Sequence, residues 1–351
     1  MTPDTDVVVV GGGPVGLAAA IEARRAGLDV VVLEPRAAPV DKACGEGLMP
    51  GTLAAVRRLG VDPPGCDLGG ISYRQGDAVA DHRFVSGPGR GVRRTTLHAA
   101  LHEAARDAGA VVLPRRVTTV EQSDGHVTAG GLRARWLLAC DGLHSRVRRE
   151  VGLGTDDRAR GAAGRPRGRG PRRRFGLRRH YRVAPWTDLV EVHWGPRVEA
   201  YVTPVAADLV GVALLGPAGV DFDAELATLP ALAARLAGAP AGGPLQGAGP
   251  MRVRSSARTV GRVRLVGDAS GYVDALTGEG LRVGLAQARA AVKHLDDAAA
   301  YERSWSRVTR DYRVLTTGLV AAAGSPLRGG VVPAAVRLPR LYGAVVDRLA
   351  R

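Results

Sequence analysis

The first residues whose types and spacing make chemistry possible are Gly11-Gly12-Gly13-Pro14-Val15-Gly16. They put glycine at all three positions of G-x-G-x-x-G. Gly11 permits a tight turn, Gly13 lets the backbone approach a pyrophosphate, and Gly16 lets a helix pack closely on a strand. An apolar run at residues 7–10 precedes the glycines, and an Ala-rich helical stretch follows to about Ala26. Gly27 suits the C-terminal cap of that helix. Glu34 closes the next apolar run, 28–33, and lies 18 residues beyond Gly16. It is placed to accept from ribose hydroxyls. The helix start offers free N–H groups and a positive dipole end to a diphosphate. The dipole contributes about 0.3–2 kcal/mol, so affinity for a dinucleotide must come from many contacts together.

Two later stretches add to this. Cys140-Asp141-Gly142-Leu143-His144-Ser145-Arg146-Val147-Arg148 matches D-G-x-x-S-x-V-R, and Leu265-Val266-Gly267-Asp268-Ala269-Ser270-Gly271 matches G-D-A-x-G. In this order and spacing the three stretches resemble the FAD-dependent aromatic hydroxylase-like monooxygenases and geranylgeranyl reductase-like flavoproteins, over about residues 5–300. The resemblance implies FAD, held tightly and non-covalently. It assigns the ADP half to Gly11, Gly13, Pro14, Val15 and Gly16, followed by Glu34, Pro35 and Arg36. It adds Arg94 at a helix start and Val117 as further FAD contacts. Asp141, with Gly142 and Ser145, is implied near the flavin and the pyridine nucleotide, and Asp268, between Gly267 and Gly271, on the ribityl chain. Cys140 stands where Ala or Gly is usual, a small residue for a small residue.

The flavin end is expected at Ala275-Leu276-Thr277-Gly278-Glu279-Gly280-Leu281. Gly278, Gly280 and Leu281 open a helix whose N-terminus suits the negative charge of a reduced ring. Residues 41–50 resemble the K-x-C-G-x-x-L-x-P segment of the reductase branch, which there runs beside flavin and substrate. The resemblance thereby makes Lys42 and Gly45 candidate cofactor contacts and Cys44 a candidate flavin neighbour. A buried, inert thiol is an equal reading of Cys44. No second G-x-G-x-x-G exists, so NAD(P)H is expected as a transient reductant without a Rossmann domain of its own.

These residues need a frame to hold them. The resemblance implies an α/β fold. A Rossmann-type FAD-binding domain has a mainly parallel sheet and a three-stranded antiparallel crossover. It is interleaved with an antiparallel-sheet substrate domain and followed by a helical tail. The expected division is 1–75, 92–155 and 255–300 for FAD, 76–91 and 175–254 for substrate, 156–174 as an Arg/Gly-rich linker, and 301–351 as the tail. Patterning predicts a helix over 95–108 with Leu97, Leu101, Ala104 and Ala108 on one face. Strands are expected at 111–113, 116–122, 126–128, 136–139, 190–193, 199–203, 209–215 and 263–266. Helices are expected at 224–237 and from Gly280, the latter with a stripe of Leu281, Leu285, Ala288, Val292 and Leu295.

Composition narrows the function classes. The chain has 351 residues and a net charge of +15. Eleven arginines and no acid lie in residues 158–182, and without them the balance is +4. The charge therefore belongs to one segment, read as a solvated connection, with NAD(P)H phosphates or an anionic lipid surface as the functional alternative. With aromatics at 4%, a stacking platform for nucleic acid is not expected. Cys44, Cys66 and Cys140 form neither a disulfide framework nor a metal pattern, so a reducing cytoplasm is the expected compartment. The resulting expectation is an NAD(P)H-dependent monooxygenase of secondary metabolism. It hydroxylates an aromatic or polyketide-like lipophilic molecule through a flavin hydroperoxide. A double-bond reductase on an isoprenoid-type lipid is the alternative. A halogenase is third, because Trp186 is followed by Thr187-Asp188 rather than the W-x-W-x-I-P signature.

Overall fold

The computed structural model describes residues 3–155 and 173–351. Most of the linker expected at 156–174, with its arginines up to Arg172, lies outside the described residues.

Valines at 7, 8, 9 and 10 are all buried, in the strand Thr5–Val10. Val7 and Val9 pack with Leu17 and Ile21, whereas Val8 and Val10 pack with Leu33 and Leu137 on the opposite face. A strand covered on both sides reads as a continuous apolar run, which is the mark of a parallel sheet. Five strands run parallel in the order Val111–Leu113, Val30–Leu33, Thr5–Val10, Leu132–Ala139, Val263–Leu265. The order reverses direction between Thr5–Val10 and Leu132–Ala139. Such a switch point opens a crevice at the carboxyl ends of the strands, where ligands of open α/β sheets bind. Val120–Ser123, His126–Ala129 and Leu132–Ala139 form the antiparallel crossover.

The helix Pro14–Arg25 starts with proline at its first position and ends on Arg24 and Arg25, which suit its negative end. Gly27, at φ +78°, closes it with a Schellman pair: Gly27 N–H donates to Arg24 C=O, and Leu28 N–H to Ala23 C=O.

A second sheet has the order Gln246–Ala248, Arg174–Arg182, Leu209–Pro217, Glu199–Ala206, Leu189–Trp194, Gly70–Gln75, Ala78–Arg83. Only Leu189–Trp194 and Gly70–Gln75 pair in parallel. Phe222–Ala227 and Pro230–Leu236 cover part of it. The long helix Ala298–Ala323 and the short helices Val331–Arg337 and Pro339–Ala350 form the tail.

Several expectations are corrected. The helix expected at 224–237 is two helices, because Pro230 lacks an N–H and starts the second. The buried face of Arg94–Asp107 is Leu97, His98, Leu101 and Ala105, with Ala104 half-buried against the same core and Ala108 at the C-terminal cap. The strand expected at 116–122 is confined to Val120–Ser123. The helix from Gly280 ends at Lys293, so Leu295 lies beyond it; the expected stripe packs on the core, with Leu281 and Val292 half-buried, and Val283 and Gly284 are buried as well. Gly70–Gln75, grouped with the FAD-binding residues on sequence, pairs in the second sheet. The end of the arginine run is no solvated connection: Arg174–Arg182 is a nine-residue strand between two partners. Its alternation puts Gly176, Arg178 and His180 on one buried face.

The glycine turn sets a very close backbone approach. A Cβ on Gly16 would overlap the carbonyl oxygen of Gly11, and backbone on both sides cannot yield. Gly16→Ala is therefore expected to lower stability by about 1–3 kcal/mol and to abolish FAD retention. Denaturant unfolding and flavin absorbance check this; an unchanged unfolding curve would remove the close-packing argument.

Candidate functional site

The three sequence stretches converge at the carboxyl ends of adjacent parallel strands. Gly11 follows Thr5–Val10, Asp141 follows Leu132–Ala139, and Asp268 follows Val263–Leu265. Gly11 has φ +103°, and a Cβ there would meet the Cys140 carbonyl oxygen at 2.6 Å. This is the tight turn expected of it. A Cβ on Gly13, by contrast, would meet nothing nearer than the Arg94 guanidinium at 3.8 Å, so that backbone is open to a ligand. The helix starting at Pro14 has no side-chain cap, which leaves its first N–H groups available to an anion.

Glu34 is buried and accepts from the Gly12 N–H at 3.0 Å and from Arg36 through Nε at 2.8 Å. Burial disfavours its charge, but Arg36 and Gly12 outweigh this and hold the carboxyl below the usual range. It stays ionised as an acceptor at the end of the second strand. Pro35 and Arg36 are exposed beside it. Val117 is buried among Leu33 and Val127, so its side chain belongs to the core.

Ser145 caps the short helix Arg146–Glu150 by accepting from Arg148 N–H at 2.9 Å. One oxygen of Asp141 accepts from Arg146 N–H at 2.7 Å and Val147 N–H at 3.1 Å, and the other is buried without a protein partner. Arg148 donates to Leu143 C=O and to Ala269 C=O, tying the second stretch to the third. In the third, Gly267 N–H and the Ser270 hydroxyl both donate to Gln287 of the helix Gly280–Lys293, and Trp305 Nε1 donates to Ser270. The Asp268 carboxyl is left facing Lys42 Nζ at 3.9 Å. Burial raises its pKa against the pull of Lys42 and Arg94. Arg94 lies beside Cys44, Asp41 and Asp268, its Nε buried without a partner, and burial lowers its pKa. Lys42 Nζ also sits 3.7 Å from where a Gly142 Cβ would be. Thus Lys42, Cys44, Arg94, Asp141, Gly142 and Asp268 gather at one crevice. Their unmet acceptors and donors fit a polyhydroxylated diphosphate such as FAD.

At the far end, Asp274 Oδ1 accepts from Leu276 N–H at 3.0 Å, and the Tyr201 hydroxyl donates to Leu276 C=O at 2.6 Å. Thr277 bonds Thr316 at 2.8 Å. The loop carrying Gly278 is thereby tied to the second sheet and to the long tail helix. Gly280 starts its helix with no side-chain cap, and Leu281 is half-buried there. Gly271 follows the 3-10 turn, and Gly45 accepts from the Thr203 hydroxyl through its carbonyl at 2.8 Å.

Sequence reasoning missed a buried polar chain on the other side of the crevice. His180 Nε2 lies 2.6 Å from Glu46 Oε2, with both side chains 1% exposed. Glu46 Oε1 accepts from Arg94 N–H at 2.8 Å. Arg178 pairs with Asp41 and reaches His180 Nδ1 at 3.0 Å. A guanidinium only donates, so Nδ1 is the acceptor and Nε2–H is the donor to Glu46. The sequence holds one signal for this, the two-residue spacing of Arg178 and His180, but an arginine run masks it.

Residues 4–163 match the family described as "FAD binding domain". A menaquinone reductase of Mycobacterium tuberculosis is 35% identical over 169 residues, 42% of this chain and 40% of that protein. A para-nitrophenol 4-monooxygenase of Pseudomonas sp. is 35% identical over 175 residues, 43% of each. The matched portions are thus about two fifths of those relatives' lengths. The crystal structure of p-nitrophenol 4-monooxygenase from Pseudomonas putida has the same fold, with a TM-score of 0.77 over 100% of this chain and 99% of that one at 21% identity. Residues 4–163 are thus similar to an FAD binding domain, and the resemblance to the hydroxylase-like and geranylgeranyl reductase-like flavoproteins is borne out.

Two variants probe the crevice. Asp268→Asn is expected to weaken FAD binding about 10- to 100-fold, the loss of a hydrogen bond to a charged group. A donor from FAD to the carboxylate favours its ionised form, so wild-type affinity should fall on acidification through the raised Asp268 pKa, and the variant's should not. Isothermal titration across pH reads both. His180→Leu leaves the buried Glu46 carboxylate without its imidazole and is expected to cost about 3–5 kcal/mol in urea unfolding; a neutral outcome would show the contact to be dispensable.

Proposed function

We propose that this chain is an FAD-dependent oxidoreductase acting on a lipophilic aromatic or polyketide-like small molecule, by NAD(P)H-dependent monooxygenation. One observation carries the reading. An apolar cavity of ≈ 270 Å³ lies between the second sheet and the tail, and Leu276, Thr277 and Gly278 of the expected flavin loop form part of its wall. Met49, from the end of the 41–50 segment, forms another part. The cavity thus meets the candidate cofactor crevice at both stretches assigned to the flavin end.

The flavin, when bound, supplies the two-electron redox chemistry. The residues of this chain enclose and orient. Ile71, Val190 and Val192 present an apolar floor that excludes water. No carboxylate or imidazole lines the cavity among the described residues. Its polar groups are phenols and one threonine. Burial pushes the Tyr73 phenol up to about 12 and the Tyr201 phenol well above its usual value. Both stay protonated at neutral pH and can hold a polar end of the substrate, but neither serves as a base there. Arg174 ties the flavin loop to the sheet through Asp274 at 3.1 Å.

A second reading is a double-bond reductase on an isoprenoid-type lipid. It is supported by the likeness to menaquinone reductase and by the cavity's lack of an ionisable group suited to activating a phenol. Oxygen uptake separates the two. Substrate-dependent NAD(P)H oxidation that consumes oxygen and yields a hydroxylated product is the expected outcome. Turnover only without oxygen, to a saturated product, replaces the first reading with the second. A purified protein without flavin absorbance, even after FAD addition, overturns both.

A further inference from the structure

We infer that the chain docks on an anionic lipid bilayer through the elbow between the helices Val331–Arg337 and Pro339–Ala350, and receives its substrate there. The inference rests on the lipophilic-substrate reading above. At the elbow Val336, Leu338 and Leu341 are 45%, 53% and 60% exposed, and Leu327 on the neighbouring turn is 72% exposed. Large apolar side chains clustered at one corner mark an interaction surface. Leu338 and Leu341 also line the apolar cavity. The exposed surface is therefore continuous with the interior one, and the elbow is the cavity's mouth.

The charges select the partner. Arg337 and Arg340 alternate with these apolar residues, are exposed, and have no carboxylate partner among the described residues. Residues 312–346 contain four arginines and no Asp, Glu or Lys. Arg313 stacks on Trp305, and Arg328 is committed to Glu199 and holds the preceding turn against the second sheet. That leaves Arg337 and Arg340 at the rim. Pro339 breaks the helix between them, so the elbow projects instead of packing. Apolar side chains flanked by arginines match an interface of acyl chains under anionic headgroups. No single helix among the described residues is long and apolar enough to cross a membrane. A lipophilic substrate then passes from bilayer to cavity without crossing water.

The test uses the full FAD-loaded chain and vesicles of phosphatidylcholine with or without phosphatidylglycerol, followed by co-sedimentation. Preferential, salt-sensitive binding to the phosphatidylglycerol vesicles is expected. Arg337→Ser and Arg340→Ser should each weaken it about fivefold. Leu338→Ser with Leu341→Ser should weaken binding to both compositions, with flavin content confirming that the variants fold. Absence of vesicle binding overturns the proposal. So does binding that a variant combining Arg337→Ser, Leu338→Ser, Arg340→Ser and Leu341→Ser retains, which would assign it to another part of the chain. A dimer in sedimentation velocity that Leu341→Ser dissociates would overturn it by giving the elbow to a second copy. Turnover of a detergent-dispersed substrate is read separately, so failure of docking and failure of the proposed reaction are told apart.

Discussion

The contact between Glu46 and His180 ties the segment that carries Lys42 and Cys44 to the second sheet beside the candidate cofactor crevice, and the site depends on it. Glu46 sits at φ 60° in the segment beside Lys42 and Cys44, and its second oxygen fixes the start of the helix carrying Arg94. His180 belongs to the far sheet. Burying such groups costs several kcal/mol per ion unless every one is paired. Here the chain runs from Arg94 N–H through Glu46 and His180 to Arg178 and Asp41, with Arg178 also donating to Lys42 C=O. A buried, paired chain of this kind favours one geometry and penalises displacement of any member. The segment that faces the crevice is thus positioned by charge pairing, not by secondary structure.

A second buried cluster acts on the opposite wall. Arg174 and Arg328 both pair with Glu199, and Arg174 also pairs with Asp274 at 3.1 Å. Asp274 holds the loop before Gly278, Arg174 and Glu199 lie in the second sheet, and Arg328 lies on the turn before the elbow. One ionic cluster therefore sets the flavin loop, the cavity floor and the cavity mouth together. Tyr312 reinforces it from the long tail helix, accepting from Val273 and Asp274 N–H and donating to Asp274 C=O. Nearly all of these interactions are long-range in sequence.

That range explains what could be read in advance. Four consecutive valines, a glycine turn, an alanine-rich helix and Glu34 are local and repeat a pattern that backbone chemistry imposes. The Asp141 and Asp268 turns are local too. Their meeting at adjacent strand ends follows once the strands are parallel. The arginine run shows the opposite case. Arg174, Arg178 and His180 look like solvated charge in sequence, and only pairing with Leu209–Pro217 and Gln246–Ala248 turns them inward. Pro230 is a local signal as well, set among alanines and leucines whose pattern alone favours one continuous helix.

The sequence by itself determined the glycine turn at Gly11–Gly16, because a turn that approaches a diphosphate needs glycines at fixed spacing after a buried strand. It also determined that the residues between Val7 and Glu34 form one βαβ unit. The partners of the buried charges, the shape of the apolar cavity and its open mouth at Leu338 and Leu341 were decided only by tertiary structure. Those features depend on which strands become neighbours and on how the tail folds back over the second sheet. Neither is encoded at a spacing that a single residue pattern can display.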